Sequence, residues 1–298
     1  MKQHSPPYRK NFQWISKMNR KFEILLKNAG EGNYAIPSFN IYNLEGATAV
    51  IKAAEELKSP VILQILPTAL ETGGAPLVQM CLEIVKRSKV PATVHLDHCS
   101  DPDIIFTAMA WGINSIMVDG SGMSCEENLQ FTREMTLKIK AAGGSVEAEL
   151  GKMTGEEDGQ TLSSQEELMT DPDKAADFVD QTGISALAVC IGNIHGKYKN
   201  PPVLDFKRLK EIRKRVSVPL VLHGTSGLPE EMIQMAMDAG ISKFNVNTEL
   251  RSIYLKTMAS CFSSDPGVEL VTIMKKSITA MKEAAKDKIR LFRSIDKA

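Results

Sequence analysis

The stretch ATVHLDHCSD, residues 92–101, begins as a short apolar strand and ends in charged and polar side chains. Alternate residues of a strand share a face, so His95 and Asp97 are expected to lie together, with His98 beside them at the polar end. Such groups are costly to bury without partners. The pattern predicts a buried strand whose last residues serve a functional site.

Seven further segments repeat this pattern of a short apolar, β-branched run that ends in polar or glycine residues. The full set is YAIPSFN (34–40), PVILQIL (60–66), ATVHLD (92–97), NSIMVDG (114–120), SVEAEL (145–150), SALAVCIGN (185–193), PLVLHG (219–224) and KFNVN (243–247). Helix-like segments separate them, and several end in glycine, as a helix C-cap before a strand does. The alternation predicts an α/β fold, a parallel (β/α)8 TIM barrel. A doubly wound open sheet shares most of the pattern and is the alternative.

Length and composition favour one domain. The chain has 298 residues, 43% of them hydrophobic, a length that α/β barrels often occupy as a single unit. We expect one barrel domain over residues 1–298, with an N-terminal extension of about residues 1–20 and a C-terminal helical segment at about residues 266–292. An apolar stripe with helical spacing marks that segment and predicts packing against the barrel or a subunit. Its members are Val271, Met274, Ile278, Met281, Ala285, Ile289 and Phe292.

Charge and cysteine usage limit the partners and the compartment. The chain carries 36 basic and 36 acidic residues, which argues against binding of nucleic acid or of an anionic membrane surface. No apolar run approaches the roughly 18 residues of a membrane span, and no secretory signal pattern is present. Five scattered cysteines without C-x-x-C spacing suit reduced thiols. We expect a soluble, cytoplasmic protein with a small-molecule partner.

Histidines concentrate at the predicted strand ends. In a barrel the carboxyl ends of the strands converge on one face, where chemistry takes place. His98, His195 and His223 follow three different strands, and three imidazoles with an open fourth position are typical of a catalytic zinc site. His95 is read as a core histidine or a support for a ligand. Asp119 and Glu149 are either strand-end caps or ligands of a second or alternative metal position.

Glycine-containing turns after the last three strands suggest an anion site. The segments are IHGKY (194–198), HGTSG (223–227) and NVNT (245–248). Barrels commonly bind phosphate after strands seven and eight, where backbone N–H groups and a helix N-terminus face the ligand. Two of these segments begin at or beside a proposed ligand histidine, which favours a phosphorylated substrate against the metal. The polar segment at residues 151–172 is a candidate active-site loop because loops of this length in compact domains are usually functional.

The chain resembles the zinc-dependent class II fructose-bisphosphate and tagatose-bisphosphate aldolases. Eight segments match that family in order, over roughly residues 22 to 292: YAIPSFNIYNLE, HLDHC, SIMVDGS, VEAELG, GEEDG, LAVCIGNIHGKY, PLVLHGTSG and FNVNTELR. The resemblance implies a TIM barrel and the reversible cleavage of a ketose bisphosphate, such as fructose or tagatose 1,6-bisphosphate, into dihydroxyacetone phosphate and an aldehyde. It also implies a homodimer or homotetramer and a place in carbohydrate metabolism, such as glycolysis.

The family resemblance implies a role for each residue that matches a functional position of the family. The resemblance implies that His98, His195 and His223 bind one Zn²⁺, that Asp97 is the acid/base at the C4 oxygen, and that Glu157 exchanges the C1 proton of dihydroxyacetone phosphate. Asp119 and Glu149 match carboxylates near an alternative metal site, and some relatives use a monovalent cation near the phosphate. The residues matched to dihydroxyacetone phosphate binding are Gly196, Gly224, Thr225, Ser226, Asn245, Asn247 and Thr248.

Two departures from the family pattern leave the aldehyde open. Leu66 and Pro67 stand where relatives often have a small hydroxyl residue and glycines, and Lys197 stands at an often apolar position. The alternatives are a class II aldolase for another phosphorylated sugar or sugar acid, such as 2-deoxy-5-keto-gluconate 6-phosphate, and a non-catalytic sugar-phosphate-binding paralogue. Lys243 near the start of the eighth strand keeps a Schiff-base mechanism as a further alternative to metal catalysis.

Overall fold

The predicted strands close into a parallel barrel. A computed structural model describes residues 21–151, 154–157, 160–162, 169–196 and 201–298. The barrel strands are β1 (Ile36–Asn40), β2 (Val61–Ile65), β3 (Ala92–Cys99), β4 (Ser115–Val118), β5 (Ser145–Leu150), β8 (Ala186–Val189), β10 (Leu220–Leu222) and β11 (Ile241–Val246). The strands β6 (Thr154–Glu157), β7 (Gln160–Leu162) and β9 (Ile194–His195) form a small sheet outside the barrel. The order of the barrel strands around the closed barrel is β1-β11-β10-β8-β5-β4-β3-β2, with parallel neighbours throughout. All eight predicted strands are confirmed, and closure decides for the TIM barrel against the open sheet.

Helices connect the strands and form the outer layer. They are α1 (Lys21–Glu31), α2 (Leu44–Glu56), α3 (Pro67–Arg87), α4 (Pro102–Ala110), α5 (Cys125–Ala141), α6 (Pro172–Thr182), α7 (Phe206–Arg215), α8 (Glu230–Asp238), α9 (Thr248–Ser264) and α10 (Leu270–Leu291). Of the glycines predicted as C-caps, Gly183 is the cap residue of α6 and has the left-handed conformation, with φ of 65°; Gly112, Gly143 and Gly240 directly follow the cap residues of their helices and also have positive φ. Only glycine adopts that conformation without steric cost, which explains its place before β8.

Helix α1 closes the amino-terminal end of the barrel. Its apolar residues Phe22, Leu25 and Leu26 form a cluster with Ile36 of β1 and Ile62 of β2, and all are nearly or fully buried. The stripe of apolar residues along α1 therefore fills the bottom of the barrel, while a larger apolar core lies between the strands and the outer helices. This arrangement leaves the opposite end, at the strand carboxyl termini, for polar side chains.

The C-terminal segment is a single helix, and most of the predicted apolar stripe is its buried face. Helix α10 spans Leu270–Leu291; Met281, Ala285, Ile289 and the following Phe292 are buried, whereas Val271, at the start of the stripe, is 57% exposed. Helix α10 packs against α2 and α9, contacts that the periodicity of one segment does not specify. The predicted N-terminal extension, residues 1–20, lies outside the described residues.

Phe292 joins α10 to the barrel and provides a test of this packing. Its ring is 1% exposed and lies 4.7 Å from that of Phe244 in β11, and its carbonyl accepts a hydrogen bond from Ala35 N. Phe292→Ala is expected to lower the free energy of unfolding by about 3–5 kcal/mol, the usual range for removing a buried phenylalanine ring. Urea denaturation followed by circular dichroism measures this, and a change below about 1 kcal/mol would contradict the packing role.

Among the helices of the described residues, none combines the length and the apolar composition of a membrane span. All five cysteines are free thiols, as predicted, and four of them are buried.

Candidate active site

A bulge at the end of β3 shapes the site. Between Leu96 and Cys99 the pairing with β4 shifts by one residue, and His98 adopts a left-handed conformation with φ of 47°. This conformation is uncommon for a residue other than glycine, and bulges often re-aim side chains next to active sites. In a regular strand Asp97 and His98 would point to opposite faces. The bulge instead brings both side chains to the barrel mouth.

Three side-chain amides hold the Asp97 carboxylate. Asn40 Nδ2 and Gln64 Nε2 each donate to Oδ2 at 2.9 Å, and Asn245 Nδ2 donates to Oδ1 at 3.1 Å. The carboxylate is fully buried. Donors on both oxygens fix the orientation of the carboxylate. The hydroxyl of Ser38 in turn donates to Gln64 Oε1 and orients that amide.

His98 is oriented by Asp119, which follows β4. The Nδ1 atom of His98 lies 2.7 Å from Asp119 Oδ2, and Ser121 N donates to Asp119 Oδ1 at 2.9 Å. Burial alone would raise the pKa of Asp119, but the hydrogen bond and charge of His98, with the Ser121 donors, hold it well below its ordinary value. Because Nδ1 is engaged with the carboxylate, Nε2 is the ring nitrogen suited to coordinate a metal.

His223, at the end of β10, has the opposite ring orientation. Its Nε2 atom lies 2.9 Å from Glu147 Oε1, and its Nδ1 atom lies 3.7 Å from Glu149 Oε2. Burial lowers the pKa of His223, and the hydrogen bond to Glu147 opposes this only in part. The neutral imidazole is the form that binds metals. The rings of His98 and His223 are 4.7 Å apart, centroid to centroid, and meet at 75°.

These residues form two groups able to hold a metal ion, both including His98. The groups are Asp97, His98 and His223, and His98, Asp119 and Glu149; within each, the ligand atoms lie within 4.8 Å of one another. Imidazole nitrogens combined with carboxylate oxygens suit zinc among the common protein metals. The donor set therefore fits the zinc ion that the sequence predicts, with His98 and His223 as nitrogen ligands.

The backbone brings the segments of His195 and Glu157 together, although their side chains lie outside what the structure describes. Strand β9 (Ile194–His195) pairs in parallel with β6 (Thr154–Glu157), with Gly155 opposite His195, and β6 forms a hairpin with β7 (Gln160–Leu162). The predicted loop at residues 151–172 thus contains two strands that its sequence did not indicate. Its residues 152–153, 158–159 and 163–168, and the departure at Lys197, lie outside the described residues. The predicted roles of His195 and Glu157 stay predictions.

The segments predicted to bind phosphate lie side by side. Thr225 Oγ1 donates to the Asn245 carbonyl at 2.9 Å, and Asn247 Oδ1 accepts from the Tyr42 hydroxyl at 3.0 Å. Gly196 and Gly224 both have positive φ, 87° and 62°. Beside them a cavity of about 450 Å³ is lined by Ser226, Gly227, Thr248, Glu249, Ser252, Ile253 and Lys256. The Ser226 hydroxyl donates to Glu249 Oε2 at 2.6 Å, so a phosphate would have to compete with that carboxylate.

His95 occupies the core position that the sequence analysis favoured. Its ring is fully buried, stacks 5.1 Å from the Phe22 ring, and has Nδ1 2.7 Å from Ser115 Oγ. Burial, with a smaller contribution from the charge of Lys243, lowers the pKa of His95 to about 3. His95 is therefore a neutral core residue.

The low pKa of His95 predicts loss of stability in acid. The unfolded chain takes up this proton near pH 6.5, while the folded state resists it down to about pH 3. Stability is thus complete above about pH 6.5 and falls as the pH drops, by up to about 1.4 kcal/mol per pH unit for this group. Urea denaturation of the metal-free protein between pH 4.5 and 7 should show a smaller slope in His95→Gln than in the wild type; equal slopes would contradict the assignment.

Sequence reasoning did not find the support around these residues. Gln64 looked like one polar residue in an apolar run, and Glu147 like one of two acids in β5. Their position along the strand was the available signal. Each lies two residues from a residue at the carboxyl end of its strand, and residues two apart share a face of the strand. Lys243, considered for a Schiff base, is fully buried with its Nζ atom 2.9 Å from Glu147 Oε2. An ammonium group held in an ion pair is a poor nucleophile.

Comparison with known proteins gives concordant matches. The family model described as fructose-bisphosphate aldolase class-II matches residues 20–297. The YdjI aldolase from Escherichia coli K12 is 36% identical, with a TM-score of 0.84 over 93% of this chain and 98% of that one. A protein from Coccidioides immitis, assigned as a fructose-1,6-bisphosphate aldolase, is also 36% identical, with a TM-score of 0.88 over 94% and 98% of the two chains.

A more distant structure shares the fold. Fructose-bisphosphate aldolase from Campylobacter jejuni is 22% identical, with a TM-score of 0.80 over 94% of this chain and 96% of that one.

Proposed function

Since the chain belongs to the class II fructose-bisphosphate aldolase family, we propose that it is a zinc-dependent lyase. In this proposal it reversibly cleaves a ketose phosphate or bisphosphate into dihydroxyacetone phosphate and an aldehyde. The observation that carries the proposal is the meeting of His98 and His223 with acidic side chains at the barrel mouth. This group lies beside a fully buried carboxylate, that of Asp97.

The metal ligands in this proposal are His98, His195 and His223, one Zn²⁺ per subunit, with Asp119 and Glu149 near an alternative position. A bound zinc ion supplies a Lewis acid for the ketone and hydroxyl oxygens of the substrate. The protein prepares both described imidazoles for it: Asp119 holds the Nδ1 side of His98, and Glu147 holds the Nε2 side of His223. Such partners of metal ligands set the tautomer and the ring orientation.

Asp97 acts as the acid/base in the proposed reaction. In cleavage it takes the proton from the C4 hydroxyl, and in the synthetic direction it returns it. Three amide donors hold this carboxylate in a fixed orientation, as the geometry of a positioned base requires. Glu157 would exchange the C1 proton from the hairpin that pairs with the His195 segment.

Dihydroxyacetone phosphate would bind along the turns after β9, β10 and β11. Gly196 and Gly224 have positive φ and place backbone at the barrel mouth, and Thr225, Asn245 and Asn247 are linked to their surroundings by hydrogen bonds. Ser226 and Thr248 line the adjacent cavity. A monovalent cation near the phosphate is part of the proposal by family likeness alone.

The departure at Leu66 bears on the aldehyde half of the substrate. Leu66 is 5% exposed and stands directly before α3, where no side chain caps the helix. Because Leu66 offers no polar group to a phosphorylated aldehyde, the second candidate substrate is 2-deoxy-5-keto-gluconate 6-phosphate, whose cleavage releases malonate semialdehyde instead.

The proposed location is the cytoplasm, and the proposed macromolecular partners are further copies of the same chain. Neutral charge and scattered free thiols support a cytoplasmic protein that binds neither nucleic acid nor membranes. A homodimer or homotetramer follows from family likeness. Exposed apolar residues of the two C-terminal helices, including Leu255, Phe262 and Leu270, are compatible with subunit contacts.

Two assays test the function. The zinc-loaded enzyme is incubated with dihydroxyacetone phosphate in deuterated water, and C1 exchange is followed by NMR; binding without exchange would support a non-catalytic paralogue. The enzyme is then offered glyceraldehyde 3-phosphate, malonate semialdehyde and other aldehydes with dihydroxyacetone phosphate. Condensation with one aldehyde identifies the substrate, and failure with every aldehyde would refute the aldolase proposal.

A separate treatment distinguishes metal catalysis from the Schiff-base alternative. A metal chelator should abolish activity, whereas borohydride should leave activity unchanged.

A further inference from the structure

Two opposite charges are buried beneath the candidate metal site. Lys243 of β11 and Glu147 of β5 are both fully buried, and Lys243 Nζ lies 2.9 Å from Glu147 Oε2 and 3.1 Å from Oε1. Desolvation of two ions offsets most of their attraction, and apolar residues often replace such pairs without loss of stability. Stability alone is a weak reason for this pair.

Each member of the ion pair is linked by hydrogen bonds to a residue with a role in the proposed reaction. On one side, Glu147 Oε1 lies 2.9 Å from Nε2 of His223. On the other, Lys243 Nζ donates to Asn245 Oδ1 at 2.8 Å, and Asn245 Nδ2 donates to Asp97 Oδ1 at 3.1 Å. One continuous chain of contacts therefore joins a proposed metal ligand to the proposed acid/base, with Lys243 at its centre.

The chemistry of each group sets the direction of every link. An ammonium group only donates, so Asn245 must present its oxygen to Lys243 and its NH₂ group to Asp97. An ionised carboxylate only accepts, so His223 must carry its proton on Nε2. The neutral ring then has its lone pair on Nδ1, on the side of Glu149. Reversing either the amide or the tautomer would set donor against donor or acceptor against acceptor.

We propose that Lys243 and Glu147 are positioning residues that orient the metal ligand His223 and, through Asn245, the carboxylate of Asp97. The proposal rests on the proposed function, because it assumes that His223 binds the metal and that Asp97 moves the proton. It gives Lys243 a role other than a Schiff base. The pair acts from beneath the site and touches neither metal nor substrate.

Two matched double variants separate this role from simple packing. Both replace Lys243 with methionine, so neither leaves a buried unpaired charge. Glu147→Gln with Lys243→Met keeps a carbonyl acceptor for His223, whereas Glu147→Leu with Lys243→Met removes it. Zinc affinity is measured by competition with a chromophoric chelator, and ligand geometry by the visible spectrum of the Co²⁺ form.

The leucine double variant should bind zinc about 10–100-fold more weakly than the glutamine double variant and show an altered Co²⁺ spectrum, since loss of such a partner typically has that effect. The glutamine double variant, which lacks the ammonium donor to Asn245, should keep C1 exchange but cleave with a kcat lowered by about 10–100-fold and a nearly unchanged KM. If the leucine variant does not fold, Glu147→Met with Lys243→Met takes its place.

Equal zinc affinity of the matched variants, or wild-type cleavage by the glutamine variant, would overturn the corresponding half of the proposal. These outcomes leave the aldolase assignment intact, because the wild type still binds zinc and turns over. A wild-type protein that binds no zinc would refute the metal assignment and this inference together. Thermal unfolding of all variants shows whether a loss of affinity follows a loss of fold.

Discussion

Asp97→Ala is expected to lower the kcat of cleavage by about 10²–10⁴-fold, the usual contribution of a positioned acid/base. Zinc should stay bound, because both Asp97 oxygens already accept amide hydrogen bonds and the two described histidines remain. Steady-state kinetics and a zinc assay on the same preparation measure both. Turnover within tenfold of the wild type would refute the acid/base role.

Lost stability must be separated from lost chemistry in this variant. Removal of the carboxylate leaves Asn40, Gln64 and Asn245 without their shared acceptor, and each unsatisfied buried donor costs about 1–3 kcal/mol. Phe292→Ala is the matched control, since it destabilises the fold from the outer face of β11. If Phe292→Ala keeps near-normal kcat at equal or greater loss of stability, the defect in Asp97→Ala belongs to the reaction.

Local pattern was sufficient to predict the eight strands and a parallel α/β arrangement. Each strand is buried on both sides by its neighbours, so an apolar run bounded by glycine or polar residues identifies it without knowledge of the rest of the chain. The same logic placed His98, His223 and Asp97 at one end of the barrel, because parallel strands must bring their carboxyl ends together. Both the closure and the meeting of these residues are present in the structure.

The details that make the site work were not predictable in this way. The bulge that turns His98 beside Asp97 depends on the register between β3 and β4, and β6 forms by pairing with a segment about 40 residues later. The link between Glu147 and Lys243 spans 96 positions. Such contacts are set by closure of the barrel, and no single stretch of sequence carries them.

His223→Ala is expected to abolish both zinc binding and turnover. The change removes a nitrogen ligand and also leaves Glu147 with one partner fewer in a fully buried site. Loss of a hydrogen-bond partner of a metal ligand typically lowers metal affinity by about 10–100-fold. Loss of the ligand itself should lower the apparent zinc affinity by more than this. Competition with a chelator measures this directly, before any activity assay. Retention of zinc at wild-type affinity would remove His223 from the ligand set.

The decisive comparison for that result lies within the same barrel. His95→Ala removes another fully buried imidazole near Glu147, with His95 Nε2 3.8 Å from Glu147 Oε2. The His95 ring contacts Ser115 and Phe22 and is not part of the proposed metal site. It should lose stability and keep zinc, whereas His195→Ala should behave as His223→Ala does if His195 is the third ligand. Equal loss of zinc from all three variants would mean that the site depends on general packing of the barrel interior, and the assignment of individual ligands would then fail.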